Sequence, residues 1–170
     1  FAYITETAGY TLTEETIEAE VIVVNTCGFI LDAKEESIST ILEAADLKKS
    51  GKCRKLIVTG CLVKRYYDDI KNSFPEIDTV IQLKDFNAFK KIFEISSAEN
   101  RKLLTLPHFG YLRVSDGCNN HCSYCAIPAI RGHLKSVPIE NLVSSTEALV
   151  ANGVREIILT AQDTAQYGVD

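Results

Sequence analysis

Three cysteines fall within eight residues, in Asp116-Gly117-Cys118-Asn119-Asn120-His121-Cys122-Ser123-Tyr124-Cys125. Thiolates spaced as Cys-x3-Cys-x2-Cys are close enough to grip one compact, soft metal centre. On a four-iron cube, three protein ligands leave one iron open to a chelating molecule. The same three cysteines with His121 make the Cys3His set of a structural zinc site. His121 directly precedes Cys122, which makes joint ligation by both awkward.

The chain has six cysteines. No export signal is read in this sequence, so they are expected to do metal or catalytic work in a reducing compartment. Cys27 and Cys61 each follow an apolar β-type run, Val21-Ile22-Val23-Val24 and Leu56-Ile57-Val58-Thr59. Ligand sites of parallel α/β sheets lie at such strand ends. Spacing alone suits two ordinary buried thiols as well. Cys53, between Lys52 and Arg54, reads as incidental.

The elements that must position these residues alternate. After the strand around 20–25, the spacing predicts a helix over 32–49, with Asp32 as its cap, Ile38, Ile41, Leu42 and Ala45 on its inner face and Gly51 as its stop. A strand over 56–59, a helix over 63–72, a strand over 79–83 and a helix over 86–93 complete a first α/β unit. Periodicity lapses between Ser96 and His108. A second unit opens with a strand over 111–115 and the cysteine loop, then continues with a helix over 138–152 and a strand over 156–160. The expected fold class is therefore α/β, with parallel sheets in two domains, 1–95 and 110–170, joined by a linker over 96–109.

Apolar residues make up 46% of the 170 and charged residues 24%, as in an ordinary globular protein. The formal charge of −5 gives no strongly basic face for nucleic acid. No apolar run reaches membrane length, and a cytoplasmic location without a membrane partner is expected. A start at Phe1, no methionine and an end just past a strand suggest a portion of a longer protein.

Val24-Asn25-Thr26-Cys27-Gly28-Phe29, Val58-Thr59-Gly60-Cys61-Leu62 and the Cys118 loop with Tyr124 before its last cysteine together resemble the methylthiotransferase family of radical S-adenosylmethionine enzymes. That resemblance spans nearly the whole chain. It implies an N-terminal methylthiotransferase domain followed by the first part of a radical S-adenosylmethionine barrel. It also implies two 4Fe-4S clusters, one on Cys118, Cys122 and Cys125 and a second on Cys27 and Cys61, whose third ligand lies upstream in the family.

In that family the first cluster reductively cleaves S-adenosylmethionine to a 5′-deoxyadenosyl radical, and a methylthio group is transferred with the help of a sulfur donor and an electron donor. Tyr124, Arg131, Gln162 and Asp163 are the implied cofactor contacts. For Arg131 a solvated loop position is the other reading, and for Gln162 and Asp163 it is a helix cap by Asp163 or Thr164. His108 and His133 carry no assigned role.

Ala161-Gln162-Asp163-Thr164, Asp32-Ala33-Lys34-Glu35-Glu36-Ser37 and Ser50-Gly51-Lys52 resemble the branch that modifies an aspartate of small-subunit ribosomal protein twelve. The substrate would then be that protein, free or on the ribosome. The alternatives are methylthiolation of a tRNA adenosine, whose enzymes usually read Gly-Gln-Asn at the second barrel strand, and a zinc-stabilised binding module. The basic residues Lys48, Lys49, Lys52, Arg54 and Lys55 read as a solvated helix end before they read as an RNA contact.

Overall fold

The computed structural model describes residues 1–96 and 102–170. It divides into two compact units, Phe1–Arg101 and Lys102–Asp170. The expected linker over 96–109 lies partly on residues 97–101, outside the described residues. Its last residue, Phe109, already opens a strand.

In the first unit a three-stranded sheet is built from β1 (Val21–Thr26), β2 (Lys55–Gly60) and β3 (Thr79–Val80), parallel and in sequence order. The short α1 (Ala2–Thr7) precedes it, and α2 (Leu31–Ser50) links β1 to β2. Next come α3 (Cys61–Arg65), α4 (Tyr67–Ser73) and, after β3, α5 (Phe86–Ile92). Side chains alternate across β2, which sorts the core into two layers. Leu56 and Val58 meet Ile41, Ala44 and Ala45 of α2 together with Leu62, Val63 and Ile70. Ile57 faces the other way, onto Ile4, Ile81, Phe89 and Phe93. The apolar residues of β2 are thus covered on both faces, which is why this strand reads as an unbroken hydrophobic run.

Helix α2 departs from the expected pattern at two points. Its N-cap is Ile30, without a side-chain cap, and Asp32 sits within the first turn. There its carboxylate still complements the helix dipole. The inner stripe is Ser37, Ile41, Ala44 and Ala45, whereas Ile38 and Leu42 are 41% and 52% exposed. The inward position at residue 37 is a hydroxyl because it has a hydrogen-bonding task, described below.

Other boundaries shift as well. The helix expected over 63–72 is two helices, since Tyr66 at φ −132°, ψ 44° is not helical. The strand expected to reach Leu83 has only two paired residues, although the Ile81 amide still donates to Val58 O at 2.9 Å.

The second unit has a parallel pair, β4 (Phe109–Arg113) and β7 (Glu156–Thr160), connected through α7 (Ile139–Ala151). Leu112, Val114 and Leu142 form its core, with Ile157 and Tyr167 packed against them. Between β4 and α7 lie β5 (Ser115–Asp116), α6 (Ile127–Arg131) and β6 (Lys135–Ser136), the two short strands pairing antiparallel. This hairpin-like pairing, absent from the sequence reading, is only two residues deep and leaves no periodicity to detect. Among the described residues no helix is long and apolar enough to cross a membrane.

Candidate metal centres

The first cysteine pair is set by strand register. Thr26 and Gly60 are partners across the parallel β1 and β2, and Cys27 and Cys61 are the next residue on each chain. Parallel neighbours run about 5 Å apart, so the two cysteine residues leave the sheet side by side. Cys27 is exposed and Cys61 half-buried.

Backbone constraints keep these turns together. Gly60 sits at φ +111°, where a Cβ would meet the Thr26 carbonyl oxygen and lie 2.6 Å from the Thr26 nitrogen. A Cβ on Gly28 would come within 2.8 Å of Leu62 Cα and 3.0 Å of the Cys61 carbonyl carbon. The two cysteine-bearing turns therefore pack backbone against backbone.

Three side chains hold the arrangement. Thr26 Oγ1 donates to Thr59 O at 2.7 Å, a buried cross-strand bond. Ser37 Oγ accepts from the Cys27 amide at 2.9 Å and lies 2.7 Å from Ala33 O, tying the loop to α2. Arg65 Nη1 donates to Gly28 O at 2.9 Å. The pairings of Ser37 with Cys27 and of Arg65 with Gly28 join residues 10 and 37 apart, and no local pattern announces them. Cys53 is buried, with its Sγ 3.6 Å from Lys55 O.

In the second unit, the cysteine loop leaves the end of β5 through Gly117. That residue has φ +73°, and a Cβ there would collide with the His133 carbonyl oxygen and lie 2.6 Å from Gly132 O. The Cys118 amide donates to Gly132 O at 3.1 Å, and Cys118 is buried. Its sulfur accepts from the Asn120 amide at 3.4 Å. Cys122 and Cys125 share a turn closed by Cys125 N–H to Cys122 O at 3.0 Å, with Cys122 exposed and Cys125 half-buried.

Around this loop the polar residues are interlocked. Asp116 Oδ1 accepts from the Gly117 amide at 2.9 Å and lies 3.4 Å from Arg131 Nη1, while Oδ2 lies 3.4 Å from Arg113. Asn120 donates to Asp163 Oδ2 at 3.0 Å and accepts from Gln166 at 2.7 Å. Asn119 Oδ1 accepts from the Leu134 amide at 2.9 Å.

The residues read as cofactor contacts are thus placed differently from one another. Tyr124 is 87% exposed beside Cys125, and Gln162 is exposed after β7. Asp163 accepts from the Ala165 amide at 3.1 Å, the cap reading, and also holds Asn120 of the cysteine loop. Arg131 has a carboxylate within the chain, that of Asp116, as its ion-pair partner.

Among the described residues no three cysteine, histidine or carboxylate side chains already converge as metal ligands. The donor set itself fits an iron-sulfur cluster, with three thiols on a turn free of acidic residues from Gly117 to Cys125. His121 is exposed, like Cys122.

Comparison with known proteins gives two family matches. Residues 1–82 match the uncharacterized protein family UPF0004, and residues 112–168 the radical SAM superfamily. Curated relatives carry the name ribosomal protein uS12 methylthiotransferase RimO. One from Clostridium botulinum (strain Eklund 17B) is 45% identical over 95% of this chain and 40% of its own length. One from Caldicellulosiruptor saccharolyticus is 43% identical over 96% and 41%, and one from Lachnoclostridium phytofermentans is 45% identical over 95% and 41%. The chain spans about two fifths of the length of these relatives.

Proposed function

We propose that the chain belongs to the methylthiotransferase family of radical S-adenosylmethionine proteins, to which its family matches and relatives point, and that it serves the transfer of a methylthio group to the β-carbon of an aspartate in ribosomal protein uS12. The observation that carries this reading is the cysteine loop that follows β4, the first strand of a parallel pair, by way of the short β5, in a chain 43–45% identical to relatives named for that activity. In α/β barrels such strand ends carry the reactive site.

In this reading Cys118, Cys122 and Cys125 hold one 4Fe-4S cluster, and Cys27 and Cys61 supply two ligands to a second. Bound at the first site, a reduced cluster would supply the electron that cleaves S-adenosylmethionine to the radical that activates the aspartate. The chain's own residues position and exclude. The Asp116 and Arg131 pair fixes the entry of the cysteine loop. Asn120 ties that loop to Asp163, so the two segments that would flank S-adenosylmethionine are held in register. Exposed Tyr124 and Gln162 remain available to the cofactor. A sulfur donor and an electron donor complete the reaction, and the protein works in the cytoplasm on uS12, free or in the ribosome.

The test is to give the anaerobically reconstituted full-length protein methyl-labelled S-adenosylmethionine together with uS12 and tRNA. Label is expected in an aspartate of uS12. Label in tRNA alone would replace this reading with adenosine methylthiolation.

A further inference from the structure

Cys27 and Cys61 lie on separate chain segments, so a centre that both hold depends on how the Cys27 turn sits on α3. Strand pairing fixes the two segments as far as Thr26 and Gly60. Beyond that point the ladder ends and side chains take over. From α2, Ser37 Oγ accepts from the Cys27 amide at 2.9 Å. From α3, Arg65 Nη1 donates to Gly28 O at 2.9 Å.

Two contacts place Arg65 for this bond. Helix α3 carries Cys61 as its first residue and Arg65 as its last. Gly28 lies so close to Leu62, the second residue, that a Cβ on it would come within 2.8 Å of the Leu62 Cα. The turn thus rests on the start of α3 and is gripped from its end, which restricts sliding of Cys27 relative to Cys61. The guanidinium carbon also lies 5.2 Å from the centroid of the Tyr66 ring, within the range at which an aromatic ring holds a cation. Among the described residues no carboxylate pairs with Arg65, so no competing acceptor draws it from Gly28. Arg113 and Arg131, by contrast, share Asp116.

We propose that Arg65 is a positioning residue for the paired-cysteine centre. Its bond to Gly28 O holds the Cys27 turn on the helix that carries Cys61, and so sets the separation at which both thiolates take one metal centre. This rests on the assignment of Cys27 and Cys61 as ligands made above. Partners that orient the ligands of a metal site contribute about 10–100-fold to metal affinity.

The experiment is a cadmium titration, read by thiolate-to-metal absorption, of the metal-free full-length protein with Cys118, Cys122 and Cys125 changed to Ala. Cadmium serves as a soft probe of thiolate ligands. The same protein with Cys27→Ala and Cys61→Ala added is the blank. Arg65→Ala is expected to weaken cadmium binding about tenfold or more, with unchanged far-ultraviolet circular dichroism. Arg65→Lys, which keeps a donor and the charge, is expected to recover most of the loss. Lys64→Ala removes the neighbouring exposed cation of α3 and is expected to bind as the parent does.

Unchanged affinity in folded Arg65→Ala would overturn the proposal. So would an equal loss in Lys64→Ala, which would trace the effect to charge alone, or a loss in Arg65→Ala that comes only with altered dichroism. A parent that binds no better than the blank would instead overturn the assignment of Cys27 and Cys61 as ligands, and this proposal with it.

Discussion

Asp78 illustrates how much one side chain can fix. Its Oδ2 accepts from the Leu56 amide at 2.7 Å and pairs with Lys48 Nζ at 2.6 Å, joining the end of α2 to the start of β2. Burial pushes its carboxyl up, but the hydrogen bonds from Lys48 and Leu56 and the charges of Lys48 and Lys55 outweigh this and hold it below its ordinary value of 3.8. The folded state therefore binds fewer protons than the unfolded chain near that pH. The stabilisation is present above about pH 3.8 and is lost as pH falls through the folded value. Asp78→Asn is expected to lower stability near neutral pH by about 1–2 kcal/mol and to flatten the acid limb. Denaturant titrations from pH 7 to 3 check both.

At this same scale the cysteines stand out in the sequence, because residue type and spacing are local features. Their supports do not. Ser37, Arg65 and Asn120 act through partners 10, 37 and 43 residues away, and the buried Ser115 Oγ has no hydrogen-bond partner among the described residues. Such roles depend on where the chain returns in space.

Among the elements, β2 is the keystone of the first unit, with Leu56, Ile57 and Val58 all fully buried. Ile57 alone of the three faces the α1 and α5 layer. Ile57→Ala is expected to cost about 2–5 kcal/mol, measured by chemical unfolding, because both layers hang on this strand. The alternation of strands and helices was readable since continuous apolar runs and amphipathic stripes are local patterns. The α2 stripe was misread where Ser37 took an inward place usually given to an apolar residue. The break at Tyr66 and the two-residue strands β5 and β6 carry no period at all.

For the molecule as a whole, two units each carry cysteines beyond the C-terminal end of a parallel strand, directly after β1 and β2 in the first and past the short β5 that follows β4 in the second, and this recurrence underlies the proposal of two clusters. The measurement that tests it most directly is iron and acid-labile sulfide analysis of the anaerobically reconstituted full-length protein and two variants. The account predicts about eight irons, two four-iron clusters, falling by about half when Cys118, Cys122 and Cys125 are changed to Ala, and by about half when Cys27 and Cys61 are changed instead. Zinc bound without iron or sulfide would contradict it.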